Sequence, residues 1–191
     1  MKNLRWRLSG TIALVFLAFG WQTVMAGEFT LASSQMQAGG RMDMDQVYNS
    51  FGCTGKNISP ELHWSGVPEG TKSLALTVYD PDAPTGSGWW HWIIYNIAPR
   101  VMGLAAGAGD VNAKLAPAGS LQSRTDFGSV GYGGPCPPAG DKPHRYIFTL
   151  FALDVAQLDL DANATAALVG YNLNAHAIGK AQMTVLFGRE K

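Results

Sequence analysis

Charge is scarce in this sequence: Asp, Glu, Lys and Arg make up 15% of its 191 residues, and acidic and basic side chains balance at 14 each. Without a basic excess there is no electrostatic footprint for a nucleic-acid partner. Cysteine is almost absent too, with Cys53 and Cys136 alone. Two thiols so far apart lack the paired ligand spacing of a zinc site. Also missing are a G-x-S-x-G nucleophile elbow, internal repeats, low-complexity tracts and any stretch that reads as a domain linker. The length suits one domain, and a hydrophobic content of 47% is enough for a real core.

The one long apolar run lies at the N-terminus. Lys2, Arg5 and Arg7 precede Leu8 to Trp21, and Val24-Met25-Ala26 follows with modest side chains. That order predicts a signal peptide over residues 1–26, cut near Ala26/Gly27, and a mature domain over 27–191. An uncleaved anchor is the alternative, for which the run is short. Without its leader the chain carries 11 basic and 14 acidic residues, a net charge of −3. An exported protein, periplasmic or secreted, with no integral membrane segment after cleavage is therefore expected. In an oxidising compartment, an even cysteine count favours a disulfide between Cys53 and Cys136 over two buried thiols.

Short apolar segments separated by Gly and Pro dominate the rest. Phe29 to Ser33, Leu74 to Tyr79, His91 to Ile97, Arg145 to Leu153 and Met183 to Phe187 read as strands. The runs IIY and IFTLF are continuous rather than alternating, which suggests strands covered on both faces. A helix is expected from a cap at Asp161 through ANATAALVGYNLNA, ending near Gly179. The long stretch from Ala105 to Pro143 reads as loop, and a loop of that length in a compact domain is usually functional or disordered.

Two segments concentrate chemistry. In YDPDAPTGSGWWHW, Asp80 and Asp82 follow a predicted strand, Pro81 and Pro84 stiffen the turn, and Trp89, Trp90 and His91 open the next strand. Asp82, and less so Asp80, could instead serve the turn by accepting its own backbone N–H groups. In GYGGPCPPAGDKPHRY, Gly133 and Gly134 offer backbone N–H groups for an anion, Pro137 and Pro138 stiffen the approach, and His144 and Tyr146 share one strand face. His63 and His176 read as a strand-face and a helix-end residue. Trp64 and Trp92 read as packing, and Arg124 with Asp126 as an ion pair ordering the loop.

Taken in order, DPDAP, WWHW, GGPCPP and HRY resemble the phosphatidylethanolamine-binding protein family, which includes Raf kinase inhibitor proteins. NISPELHWSGVPEGTKS and LVGYNLNAHAIGKAQMTVLF extend the resemblance across essentially the whole mature chain, the latter toward the bacterial branch. It implies a mainly β fold of two packed antiparallel sheets, a β-sandwich with one or two short helices near the C-terminus, and one anion pocket at strand ends. The family's pocket positions match Asp80, His91, Pro138, His144 and Tyr146, with Asp82, Trp89, Trp90, Gly133 and Gly134 as neighbours. Only Gly188 to Lys191 follow the last predicted strand, so the C-terminal helix of eukaryotic members is not expected, and their kinase regulation does not carry over.

The expected partner is a small phosphate-bearing or anionic ligand. A zwitterionic phosphoethanolamine head group would place its phosphate against His91, His144 and the glycine loop, and its ammonium against Asp80 and the tryptophans. The alternative is an inhibitor or modulator of a protein partner, of the protease- or kinase-inhibitor kind, using the long loop. A hydrolase is a third reading, disfavoured by the lack of a nucleophile. No cofactor and no metal are expected, and loops around a mouth would permit a homodimer.

Overall fold

The computed structural model of the chain describes residues 27–191, so the signal-peptide reading lies outside the described residues. Eight strands and one helix follow in the order β1 (Thr30–Ala32), β2 (Leu62–Ser65), β3 (Ser73–Asp80), β4 (Trp89–Ile97), β5 (Gly103–Leu104), β6 (Leu121–Gln122), β7 (His144–Leu153), α1 (Ala166–His176) and β8 (Ala177–Phe187). They form two antiparallel sheets, a small one ordered β1-β2-β5 and a large one ordered β6-β4-β3-β7-β8. The mainly β fold of two antiparallel sheets with a short helix near the C-terminus is thus the observed one.

Double-sided cover explains the continuous apolar runs. Leu74, Leu76, Val78, Trp92, Ile94, Phe148 and Leu150 face a core shared with Leu31, Leu62 and Trp64 of the small sheet. On the other face Ala75, Ile93, Tyr95, Phe151 and Leu153 pack under Val169 and Leu173 of α1. Truncating a fully buried leucine such as Leu76 in a layer of this kind costs about 2–5 kcal/mol. Trp92, also fully buried, donates its indole N–H to Gln122 at 2.6 Å, and Gln122 in turn donates to the Ala108 carbonyl at 3.0 Å. Two residues of the long loop thereby become β6, an edge strand that composition does not reveal.

Three local expectations are corrected. The helix begins at Ala166 with Thr165 as its cap, not at Asp161. The Asp161 carboxylate accepts the Asn163 N–H at 2.8 Å and so closes a turn of its own before the helix starts. Gly179 does not stop a helix but lies inside β8, where a Cβ would meet Pro68 at 2.7 Å. The last strand accordingly starts at Ala177 rather than Met183, and its leading residues alternate half-buried and exposed positions against β7. Arg124 and Asp126 do not pair, since the Asp126 carboxylate accepts the Trp90 N–H at 2.7 Å.

A disulfide joins Cys53 to Cys136 across 83 residues of sequence and ties the loop before β2 to the proline-rich loop before β7. Loop-closure entropy for that separation has an upper value of about 4–5 kcal/mol. The Cys53→Ser, Cys136→Ser double variant is therefore expected to unfold at lower urea concentration than the parent, with a stability loss up to that size. Equal midpoints and slopes for the two proteins would contradict the tether.

Candidate functional site

Strand parity alone would set His91 on the face opposite Trp92. The register prevents this: Val78 pairs with Trp92 but Tyr79 pairs with Trp90, so one residue of β4 is extra between them. That β-bulge falls on His91 and turns its ring toward the inter-sheet face used by Asp80 and Tyr146. It also separates the neighbouring tryptophans. Trp89, opposite Asp80, lines the cavity, whereas Trp90 lies against Tyr79, centroids 4.5 Å apart and rings tilted by 37°, and packs against the helix-covered core.

The cavity has a volume of about 200 Å³ and a floor built by Asp80, His91, His144 and Tyr146. All four are at least 96% buried. His91 Nδ1–H donates to the Gly133 carbonyl at 2.7 Å, and the Gly133 N–H donates back to the His91 carbonyl at 2.9 Å. Nε2 is left buried without a partner. Burial holds the imidazole pKa down to about 4, against the opposing pull of the Gly133 carbonyl and the Asp80 charge, so the ring is neutral at pH 7 and Nε2 is an acceptor. The Tyr146 hydroxyl, on the same floor, is likewise buried without a partner, and burial, helped by the Asp80 charge, raises its pKa so that it remains a donor.

Asp80 closes the turn after β3 and also orients His144. Its Oδ1 accepts the Asp82 and Ala83 N–H groups at 2.8 and 3.1 Å, closing the turn, while Oδ2 accepts His144 Nδ1–H at 2.8 Å. Three donors thus share the buried negative charge. Asp82 is not part of the cavity. Its carboxylate takes the Arg145 backbone N–H, Nε and Nη2 at 2.9, 2.8 and 2.7 Å, and the guanidinium bonds lower its pKa to about 2. Exposure reduces what such a pair adds to stability.

The glycine loop also differs from expectation. Neither amide is free for an anion: the Gly133 N–H is held by His91, and the Gly134 N–H donates to Asn57 Oδ1 at 2.7 Å. These glycines are selected by space. A Cβ on Gly133 would lie 2.4 Å from the Phe127 ring, and one on Gly134 would lie 2.0 Å from the Gln46 carbonyl. Their service to the site is to hold the His91 ring and to admit Phe127 beside it. His63 and His176 lie elsewhere, bound to Glu61 and Asp154 respectively at 2.9 Å each.

The remaining walls come from Phe51, Ala83, Pro84, Thr85, Trp89, Phe127, Cys136, Pro137 and Pro138. Phe127 was missed as a wall residue because nothing in SRTDFG distinguishes it. It becomes one because Asp126 anchors that loop to Trp90, leaving the Phe127 ring 5.4 Å from both Trp89 and His91. Phe51 has a φ of +55°, a left-handed conformation unfavourable for a bulky side chain, and it lies 67% exposed while stacked 5.9 Å from Phe127. The disulfide two residues on anchors this strained segment, and Cys136 itself lines the cavity. Among the described residues no cluster of three or more His, Cys, Asp or Glu side chains is placed to hold a metal, and no helix is long and apolar enough to cross a membrane.

The geometry is that of a two-sheet β domain with a small, part-polar cavity at its strand ends. Sequence comparison narrows it. The family model described as phosphatidylethanolamine-binding protein matches residues 32–188. UPF0098 protein YbcL of Escherichia coli strain K12 is 48% identical over 176 residues, covering 92% of this chain and 96% of the relative. UPF0098 protein YbhB of the same strain is 46% identical over 157 residues, covering 82% and 98%. The crystal structure of E. coli YbcL, described as a new member of the mammalian PEBP family, superposes with a TM-score of 0.84 at 49% identity and covers 86% of this chain and all of that one. CT736 from Chlamydia trachomatis, described as a PEBP homologue, gives 0.71 at 33% identity, covering 85% and 98%. The chain belongs to the phosphatidylethanolamine-binding protein family.

The depressed pKa of His91 makes a prediction for stability. The unfolded ring titrates near 6.5 and the folded one near 4, so below pH 6.5 the unfolded state binds the proton more tightly. Stability is lost as the pH falls through this window, by about 3 kcal/mol once both states are protonated. A His91→Gln variant, which keeps a donor for Gly133, should lack this part of the decline in urea titrations at pH 7 and pH 4. Identical pH slopes in the two proteins would contradict a buried neutral His91.

Proposed function

We propose that the domain is an exported binding protein for a small phosphate-bearing or other anionic head group. The observation that carries this reading is the pair of buried atoms without partners, His91 Nε2 and Tyr146 Oη, in one small cavity. Two orphaned polar groups at the floor of a cavity are costly unless a ligand or solvent meets them. Tyr146 donates to an anionic oxygen. His91 accepts from a protonated phosphate oxygen, or takes up a proton as a fully ionised anion enters. His144, its ring fixed by Asp80, completes the polar floor, and the sharing of the Asp80 charge among three donors reduces repulsion of an anion.

Export is proposed on the basic-then-apolar pattern of residues 1–26 and agrees with a disulfide in the mature domain. Binding rather than catalysis is proposed because the groups beside the histidines are poor nucleophiles. Cys136 is oxidised, the Tyr146 phenol is held protonated, and the Thr85 hydroxyl donates to the Gly88 carbonyl at 2.5 Å. Phosphate-ester or carboxylic-ester turnover that disappears in His91→Ala would overturn that part.

Calorimetric titration with inorganic phosphate and with sulfate tests the pocket. Tyr146→Phe removes one hydrogen bond to a charged ligand, worth about 1.5–3 kcal/mol, and is expected to weaken phosphate binding by about 10- to 100-fold. Sulfate stays fully ionised, so its affinity should rise as the pH falls from 7 toward 4, because binding raises the His91 pKa and draws in a proton. His91→Gln should flatten that rise. Tyr146→Phe with unchanged phosphate affinity would refute the assignment.

A further inference from the structure

Asn-x-Ser/Thr, with x not proline, is the acceptor pattern of N-linked glycosylation on exported proteins, and it occurs twice here, at Asn57-Ile58-Ser59 and Asn163-Ala164-Thr165. The structure treats the two differently. Asn57 is consumed by the fold: its Oδ1 accepts the Gly134 N–H at 2.7 Å and its Nδ2 donates to the Tyr132 carbonyl at 3.3 Å. Ser59 is 1% exposed, its hydroxyl accepts the Gly109 N–H at 2.8 Å, and Pro60 follows it. Neither residue can enter a transferase without breaking the clamp on the glycine loop.

Asn163 stands in the turn before α1 and is exposed, as are Asp161 and Thr165 on either side. The turn uses only its backbone N–H, given to Asp161 Oδ1 at 2.8 Å, and its side-chain amide is bonded to no other described residue. Thr165 Oγ1 caps α1 through the Leu168 N–H at 3.3 Å, a long bond that leaves the hydroxyl at the surface. Asp161 adds specificity. The oligosaccharyltransferases that bacteria direct at exported proteins read an acidic residue two positions before the asparagine, and Asp161 supplies it, whereas Gly55 holds that position before Asn57. Two backbone ties must open for the turn to enter an enzyme, the Asp161 carbonyl to Tyr95 Oη–H at 2.9 Å and the Ala162 carbonyl to the Arg124 N–H at 3.1 Å. Opening there spares the cavity, because Tyr95 and Ala164 belong to the helix-covered face of the large sheet and Tyr146 to the opposite one.

Going beyond the binding reading and resting only on its export clause, we infer that Asn163 is an N-glycosylation site. Asn163 Nδ2 attacks the anomeric carbon of an oligosaccharide carried on a lipid pyrophosphate. The C1–N bond forms, the C1–O bond breaks, the lipid pyrophosphate leaves with the bonding electrons, and the amide gives one proton to solvent. A membrane-bound oligosaccharyltransferase and its lipid-linked donor are the partners.

The test expresses the full chain in bacteria that carry such a transferase with its lipid-linked oligosaccharide, beside a known acceptor peptide as control, and reads the exported protein by intact mass and glycopeptide mapping. One glycan is expected, on Asn163, with Asn57 bare. Asn163→Gln and Thr165→Ala should lose it, and Thr165→Ser, which keeps both the cap and the hydroxyl, should retain it. Asp161→Asn keeps the turn acceptor but not the charge, and should cut the modified fraction at least tenfold. Exported protein with no added mass beside a modified control peptide, or a glycan that persists in Asn163→Gln, would overturn the inference and leave the export reading in place. A chain retained in the cytoplasm with its leader uncut would contradict both.

Discussion

The site depends on one reciprocal pair of hydrogen bonds, His91 Nδ1–H to the Gly133 carbonyl and the Gly133 N–H back to the His91 carbonyl. It fixes which ring nitrogen carries the proton and therefore what chemistry faces the cavity. Several features of the fold serve it. The bulge in β4 brings the ring to the correct face, and Asn57 clamps the glycine loop by receiving the Gly134 N–H and donating to the Tyr132 carbonyl at 3.3 Å. The missing Cβ of Gly133 admits Phe127, whose ring helps desolvate the imidazole. Desolvation is in turn what keeps the ring neutral.

Asp80 carries the second half of the design. A buried carboxylate left uncompensated would be costly. Here two turn amides and His144 share the charge, so the residue that ends β3 also orients a site histidine and closes the turn leading to Trp89. One side chain thereby links the strand edge, the proline-stiffened turn and the polar floor. Asp82, two residues on, faces outward and holds Arg145 on the adjacent strand instead.

Much of this was legible in the sequence, for identifiable reasons. Strands β3, β4 and β7 announce themselves because both of their faces are covered and their apolar runs are unbroken. The grouping of Asp80, His91, His144 and Tyr146 followed from two motifs placed at strand ends. What could not be read was the destination of backbone hydrogen bonds. Gly133 and Gly134 have the composition of an anion cradle, yet their amides are spent on His91 and Asn57. The two-residue strand β6 is held where Gln122 is bonded to Trp92, a contact invisible to local pattern. Phe51 and Phe127 line the cavity because the disulfide to Cys136 and the Asp126 hydrogen bond to Trp90 tie their segments to distant parts of the chain.

Nitrogen-15 NMR of histidine-labelled protein observes the central claim directly, with His91→Gln used to assign the ring. For the free protein at pH 7, the account predicts a protonated Nδ1 and an unprotonated Nε2 for His91, a titration near pH 4, and protonation of Nε2 when sulfate saturates the pocket at pH 6. A His91 ring with the proton on Nε2, or one that titrates near its ordinary value of 6.5 in the free protein, would contradict it.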